Sequence, residues 1–329
     1  MEAAVVVTYR CNARCKMCNT WQFPSKPVEE ITPEVIDKIP GGMTRLNITG
    51  GEPMLRRDIE DIVAVLHKKT NRLEISTNGF FTDKIVSIAK KYPDITIRVS
   101  LEGFPATNDS IRGIKDGFHR GLYTIVKLME LGIKDIGFAT VVQDGNYKEL
   151  VDFYRFVSSL GVEYSICIGH NSFYFHKTDN EIINKDEAIG EMENLIRALL
   201  TSKRKDLKLK IKDWFRAYLT RGLIRFARDD KRALNCGAGS DVLFLDPYGE
   251  VFPCNVMERS MGNIKKRSFY DVWNSEEAKA IRETVCVCTQ NCWMMGTAVP
   301  AMRKAIWNPV SWVVYNKIRL FLGKNVVGI

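Results

Sequence analysis

The chain has 329 residues, 45% of them hydrophobic and 26% charged, with 48 Lys+Arg against 39 Asp+Glu and a formal net charge of +9. This composition excludes a disordered or fibrous chain, and the length allows one large domain or two smaller ones. No run of about 18 uncharged apolar residues occurs, so no ordinary transmembrane helix is expected.

The N-terminus, Met1-Glu2-Ala3-Ala4-Val5-Val6-Val7, lacks the basic region and cleavage site of a signal peptide. A cytoplasmic location is therefore expected. Without export, nine cysteines are not a disulfide framework, and metal is their expected use. The positive charge is concentrated late. Residues 202–232 hold twelve Lys/Arg against four Asp/Glu, and residues 284–329 hold five Lys/Arg and no acid. Such patches suit nucleic acid, an anionic membrane or an acidic substrate.

Apolar, β-rich runs fall at 4–9, 45–49, 72–76, 96–101, 135–142 and 163–168. Helical patterns lie between them, near 33–39, 58–69, 82–91, 121–131, 147–160 and 186–201. Ile59, Ile62, Val63 and Leu66 show the i, i+3, i+4, i+7 spacing of an amphipathic helix, and Leu122, Ile125, Val126 and Met129 repeat it. Six strand–helix units imply parallel strands with helices outside. Six is too few for the eight-unit closed barrel, so a partial (β/α)6 barrel is expected, with its active site at the C-terminal strand ends. The domains expected are the barrel at 1–201, a basic helical connector at 202–233, a small Cys-rich domain at 234–296 and a basic aromatic tail at 297–329. Within the third, Asp246-Pro247-Tyr248-Gly249 reads as the turn of a β-hairpin.

Cys11, Cys15 and Cys18 form C-x3-C-x2-C directly after the first strand. Three thiolates in so short a loop suit an iron–sulfur cluster or zinc, and an incomplete ligand set leaves one metal position open for catalysis. Gly50-Gly51-Glu52-Pro53 follows the second strand, Ser76-Thr77-Asn78-Gly79 the third, and Ser100-Leu101-Glu102-Gly103 the fourth, with Arg112-Gly113 soon after. Together these segments resemble the radical S-adenosylmethionine (radical SAM) superfamily over roughly residues 4–200. Asp is commoner than Glu at position 102.

The resemblance implies a 4Fe–4S cluster on Cys11, Cys15 and Cys18, whose fourth iron chelates S-adenosylmethionine. It implies that Gly50 and Gly51 let the backbone approach the ligand closely, with Pro53 beside them among the cofactor-binding residues, that Glu52 accepts from the ligand's ammonium, and that Met17 lies near adenine. Ser76, Asn78, Ser100 and Glu102 would serve ribose hydroxyls and carboxylate, and Arg112 would pair with that carboxylate. The implied reaction is one-electron cleavage to methionine and a 5′-deoxyadenosyl radical, which abstracts hydrogen from an unactivated carbon.

Cys236 and Cys254 flank the hairpin, with Gly249 between them, and Cys286, Cys288 and Cys292 follow as C-x-C-x3-C. The pattern resembles SPASM/Twitch auxiliary-cluster domains, with fewer cysteines than a full SPASM domain. One auxiliary 4Fe–4S cluster is expected, held by Cys236, Cys254 and two of the last three; a zinc site is the alternative. Cys167 stands apart, before Gly169-His170-Asn171. It is read as a core residue or as a hydrogen donor or redox relay at the barrel mouth. His170 and His176 follow the same strand, where either substrate contact or packing is open.

The function expected is a radical SAM enzyme, with the auxiliary cluster in electron transfer or substrate binding. A carbohydrate, lipid-linked or other small metabolite is favoured as substrate, because the chain opens on the first barrel strand without a leader-binding domain. A peptide-modifying maturase is the alternative. A non-catalytic electron carrier or zinc module is the alternative of another class. The partners expected are the substrate and a flavodoxin- or ferredoxin-type reductant; nucleic acid is not expected. The tail, with Trp307, Trp312, Tyr315 and Phe321 among basic residues, is read either as docked or as a peripheral membrane contact.

Overall fold

Short strands rich in Val and Ile alternate with helical segments from the start, and strands apolar on their outer side need helices over them. The computed structural model describes residues 1–329. The first part runs β1 (Glu2–Val6), α1 (Pro33–Ile36), β2 (Arg45–Thr49), α2 (Ile59–His67), β3 (Leu73–Thr77), α3 (Thr82–Lys91) and β4 (Thr96–Ser100). It continues α4 (Pro105–Arg112), α5 (Gly117–Glu130), β5 (Ile136–Val142), α6 (Leu150–Ser159), β6 (Glu163–Ile168), α7 (Lys185–Leu200) and α8 (Leu207–Ala227). These six strands lie in the order β6-β5-β4-β3-β2-β1, all parallel. The sheet stays open, as the partial barrel requires.

In α2, Ile59, Ile62, Val63 and Leu66 are all fully buried, and each such side chain contributes about 1.5–3 kcal/mol. The expected strands at 45–49 and 163–168 coincide with β2 and β6, whereas β1 sits earlier than expected. Within the barrel, one helix falls outside the expected patterns. α4 has Ile111 as its only large apolar residue, so it carries almost no hydrophobic period. Pro105 at its first turn and Gly113 beyond it, at φ 57°, bound it instead.

β7 (Val242–Leu245) and β8 (Glu250–Phe252) form the expected hairpin. Their placement is new. β7 pairs parallel with β1, from Glu2 opposite Val242 to Val5 opposite Leu245. β9 (Gly262–Asn263) extends the same edge, giving one nine-stranded sheet. The cysteine-rich segment thus continues the barrel sheet. α9 (Phe269–Trp273), α10 (Glu276–Cys286), α11 (Met295–Lys304) and α12 (Trp307–Phe321) complete the chain.

The basic connector is α8, and part of its charge is spent inward. Lys212 reaches Glu163 at 2.6 Å and Arg216 bonds the other oxygen of the same carboxylate. Arg204 bonds buried Asp213 at 2.8 Å. Arg98 bridges Asp135 and Glu163, and Arg45 holds Glu74. Burial alone would raise the Glu163 carboxyl, but Arg98, Arg216 and Lys212 hold it well below its ordinary value. A paired ionic layer therefore floors the barrel at the strand N-termini.

Candidate active site

β1 leads into the cysteine loop, and the turn after β2 packs on that loop. A Cβ on Gly50 would lie 2.5 Å from the Thr8 carbonyl oxygen, and one on Gly51 would come closer still to that of Arg10. Gly51 N donates to Thr8 O and Glu52 N to Arg10 O, both at 2.8 Å. The steric demand for two glycines thus comes first from the cysteine loop, whereas the sequence reading assigned it to the ligand.

One cavity of about 350 Å3 is lined by Cys11, Cys15, Cys18, Met17, Gly50 and Gly51. Ser76, Asn78, Ser100, Glu102, Arg112 and Cys167 line it as well. These residues come from a loop, four strand ends and α4. Asn47, Thr49, Ser165 and Asn180, which no sequence motif singles out, share the lining. Asn47 and Ser165 had a signal: each is a polar residue inside an apolar strand.

Glu52 and Pro53 do not line the cavity. Glu52 is fully buried and accepts from Met54 N at 3.1 Å, Thr77 Oγ1 at 2.7 Å and Asn78 N at 2.7 Å. It caps the one-turn helix Pro53–Leu55. Its carboxylate ties the β2 turn to the β3 end, where the sequence reading placed it on the ligand. Its pKa is raised, because burial outweighs those donors.

Glu102 and Arg112 pair at 2.7 Å, and Val141 N donates to the other carboxylate oxygen at 2.7 Å. Burial opposes the Arg112 charge, but Cys15, Glu102 and Cys11 more than compensate, so its pKa is raised. Arg112 Nε is buried without a partner. An unpaired donor on a guanidinium near the Cys11 and Cys15 sulfurs fits an anionic group in the cavity.

The donor set fits a cluster. Burial pushes the Cys11 thiol up to about 12 and raises Cys15 as well. Such sulfurs become thiolates when a metal supplies the compensating charge. No three His, Cys, Asp or Glu side chains are gathered tightly enough for a single ion; a four-iron cube holds its sulfurs wider apart.

A second space of about 240 Å3 adjoins the first, sharing Asn47, Ser76, Ser165, Cys167 and His170 with it and reaching Cys254 and Asn255. Cys167 lies 3.8 Å from the Met294 sulfur, and burial pushes its thiol up to about 11. His170 Nδ1 faces the Ile168 carbonyl at 3.1 Å, and Nε2 faces Asn255 Nδ2 at 3.2 Å. Burial lowers its pKa, which favours neutral imidazole. His176 stacks on Phe23, 4.6 Å between centroids, in a packing role. The 170–180 segment also straps the cysteine loop and the β2 turn: Asn180 Nδ2 donates to Met17 O at 3.1 Å and Tyr174 Oη to Gly50 O at 2.6 Å.

In the second cysteine region, Cys254 and Cys292 each lie within electrostatic reach of Cys236 and Cys288. Burial pushes Cys292 up to about 12. Cys286 ends α10, and it and Cys288 are both exposed. The four associated sulfurs fit one auxiliary cluster.

The Radical SAM superfamily model matches residues 5–157, and the SPASM iron–sulfur cluster-binding domain model matches residues 236–293. Residues 5–157 belong to the radical SAM superfamily. This radical SAM protein carries a C-terminal SPASM domain, and its cofactors are S-adenosylmethionine, the 4Fe–4S cluster and an auxiliary 4Fe–4S cluster. It is 27% identical to the antilisterial bacteriocin subtilosin biosynthesis protein AlbA of Bacillus subtilis, over 84% of this chain and 60% of AlbA. It is 27% identical to the Fe-coproporphyrin III synthase of Methanosarcina barkeri, over 60% of this chain and 50% of that protein. The radical SAM chain thus spans less than two thirds of either relative. Among solved structures, Streptococcus suis SuiB matches at TM-score 0.64 and 16% identity, covering 89% of this chain and 72% of SuiB. SuiB has also been seen bound to the precursor peptide SuiA.

Proposed function

We propose that this radical SAM enzyme abstracts a hydrogen atom from an uncharged polar group held between its two cysteine regions, with a carbohydrate or other small metabolite favoured. The observation that carries this reading is the adjoining space of about 240 Å3. Asn47, Ser76, Ser165 and Asn255 line it. Its charged residues, Glu2, Arg45, Glu74 and Arg98, are already paired with one another or with neighbours in the floor. A sugar ring or one amino-acid side chain suits such a volume, and a tetrapyrrole macrocycle does not.

Cys11, Cys15 and Cys18 would hold the cluster. When bound, it supplies one electron to S-adenosylmethionine, and the 5′-deoxyadenosyl radical released takes the substrate hydrogen. Arg112 would pair with the ligand's carboxylate through its free Nε, and Glu102 holds Arg112 in position. Ser76, Asn78 and Ser100 offer hydroxyl and amide groups to the ribose. The strap over 170–180 and Trp21 at the wall limit water at the reacting carbon. Cys236, Cys254, Cys288 and Cys292 would leave no auxiliary iron free, which favours electron exchange over substrate binding.

A peptide substrate is the second reading, favoured by AlbA's role in bacteriocin biosynthesis and by the SuiA-bound SuiB structure. Release of 5′-deoxyadenosine from reduced enzyme, measured with neutral saccharides and with short peptides, separates them. Stimulation by saccharides alone supports the first reading, and stimulation by peptides alone replaces it with the second.

A further inference from the structure

α12 is fastened to the barrel along one face. Val313 and Asn316 are buried. Trp312 Nε1 donates to the Val327 carbonyl at 3.1 Å, and Lys317 Nζ lies 4.1 Å from the Trp214 ring centroid. The tail is therefore a formed, docked helix before it meets any partner.

Its other face is apolar and uncovered. Trp307, Val314, Ile318 and Phe321 follow at i, i+7, i+11 and i+14, which places them on one stripe. Trp307 is 77% and Phe321 90% exposed, with Val314 at 52% and Ile318 at 54%. Rings so exposed stand proud of the surface as a ridge. A ridge of Trp, Phe and Ile enters a fluid interface without needing a shaped receptor.

The charge around the ridge points to the same partner. Arg319 and Lys324 on the tail and Arg197 on α7, which meets the tail at Asn325, border this helix. None of these three makes an ion pair, whereas Arg45, Arg98, Lys212 and Arg216 in the barrel floor all do. No Asp or Glu occurs from residue 284 to 329. Unpaired cations beside an exposed aromatic stripe complement a negatively charged bilayer surface.

We propose that α12 seats this enzyme in the interface of an anionic lipid bilayer, with the Trp307–Phe321 ridge among the acyl chains and the bordering cations at the headgroups. No helix of the chain is long and apolar enough to cross a membrane, so the contact is peripheral. The proposal is independent of the substrate assigned to the cavity.

The test is flotation of the full-length, cluster-reconstituted protein with vesicles of phosphatidylcholine, alone or mixed with phosphatidylglycerol. At low salt the protein should float with the mixed vesicles and bind pure phosphatidylcholine about tenfold less or weaker. Trp307→Ser with Phe321→Ser should cut binding to mixed vesicles about tenfold or more. Arg319→Glu with Lys324→Glu should cut it similarly and flatten its salt dependence. Iron content and 5′-deoxyadenosine release, unchanged in these variants, show that they fold. The proposal is overturned if the parent ignores phosphatidylglycerol vesicles at low salt, or if the Ser variant floats as well as the parent. A parent dimer in light scattering that the Ser variant dissolves also overturns it, because the ridge then covers a second copy.

Discussion

Arg112 Nη1 donates to Glu102 Oε1 at 2.7 Å, tying α4 to the end of β4 beside the cysteine loop. Both residues are buried. Glu102→Ala leaves the guanidinium without its carboxylate and Val141 N without its acceptor. A loss of about 3–5 kcal/mol in urea unfolding under anaerobic conditions is expected. A loss below about 1 kcal/mol would show that solvent reaches Arg112.

Glu52→Gln probes an internal clamp. The amide replaces one acceptor oxygen with a donor, facing Asn78 N or the Met54 N and Thr77 Oγ1 pair. A stability loss of about 1–3 kcal/mol is expected, with weaker S-adenosylmethionine binding as a consequence of the displaced turn. Thermal unfolding and calorimetry measured together decide it. Lost affinity with unchanged stability would place Glu52 on the ligand after all.

Iron analysis tests the auxiliary ligands. The reconstituted parent should hold about eight iron per chain, as two 4Fe–4S clusters require. Cys288→Ala or Cys292→Ala should lower this to about four, whereas Cys286→Ala should leave it unchanged. Loss of half the iron in Cys286→Ala would exchange the roles of Cys286 and Cys288.

Asp246 gives a pH dependence with a definite sign. Burial pushes its carboxyl from the ordinary 3.8 up to about 6, despite the N–H groups of Glu250 and Tyr248. The folded chain keeps a proton that the unfolded chain has released, so stability falls as pH rises between these values. Asp246→Asn retains the acceptor oxygen and carries no charge. Its advantage over the parent should be absent near pH 4 and complete above pH 7, reaching at most about 3 kcal/mol. Urea midpoints across pH 5 to 8 that run parallel for the two proteins would refute this.

The barrel was legible because each strand–helix unit carries its own hydrophobic period, as in α2. The cysteine loop was legible because its ligands lie within eight residues. The fate of β7 was not, because parallel pairing with β1 joins residues some 240 apart and leaves no local mark. The ionic floor was hidden for the same reason: Arg98, Glu163 and Arg216 come from β4, β6 and α8. The internal clamp at Glu52 was hidden because its partners at Thr77 and Asn78 arrive from the next strand. α4 was missed because a polar helix with one large apolar residue has no period to read. The spare cysteine could not be chosen from spacing alone, since C-x-C-x3-C offers three adjacent thiols and the fold decides which two meet Cys236 and Cys254.

The most direct measurement is 5′-deoxyadenosine released when the reconstituted chain is mixed with dithionite and S-adenosylmethionine under anaerobic conditions. The parent should release it, and the variant with Cys11, Cys15 and Cys18 all changed to Ala should release none while keeping about half the iron. A parent that holds its full iron and binds S-adenosylmethionine yet releases no 5′-deoxyadenosine would contradict the radical assignment of this site.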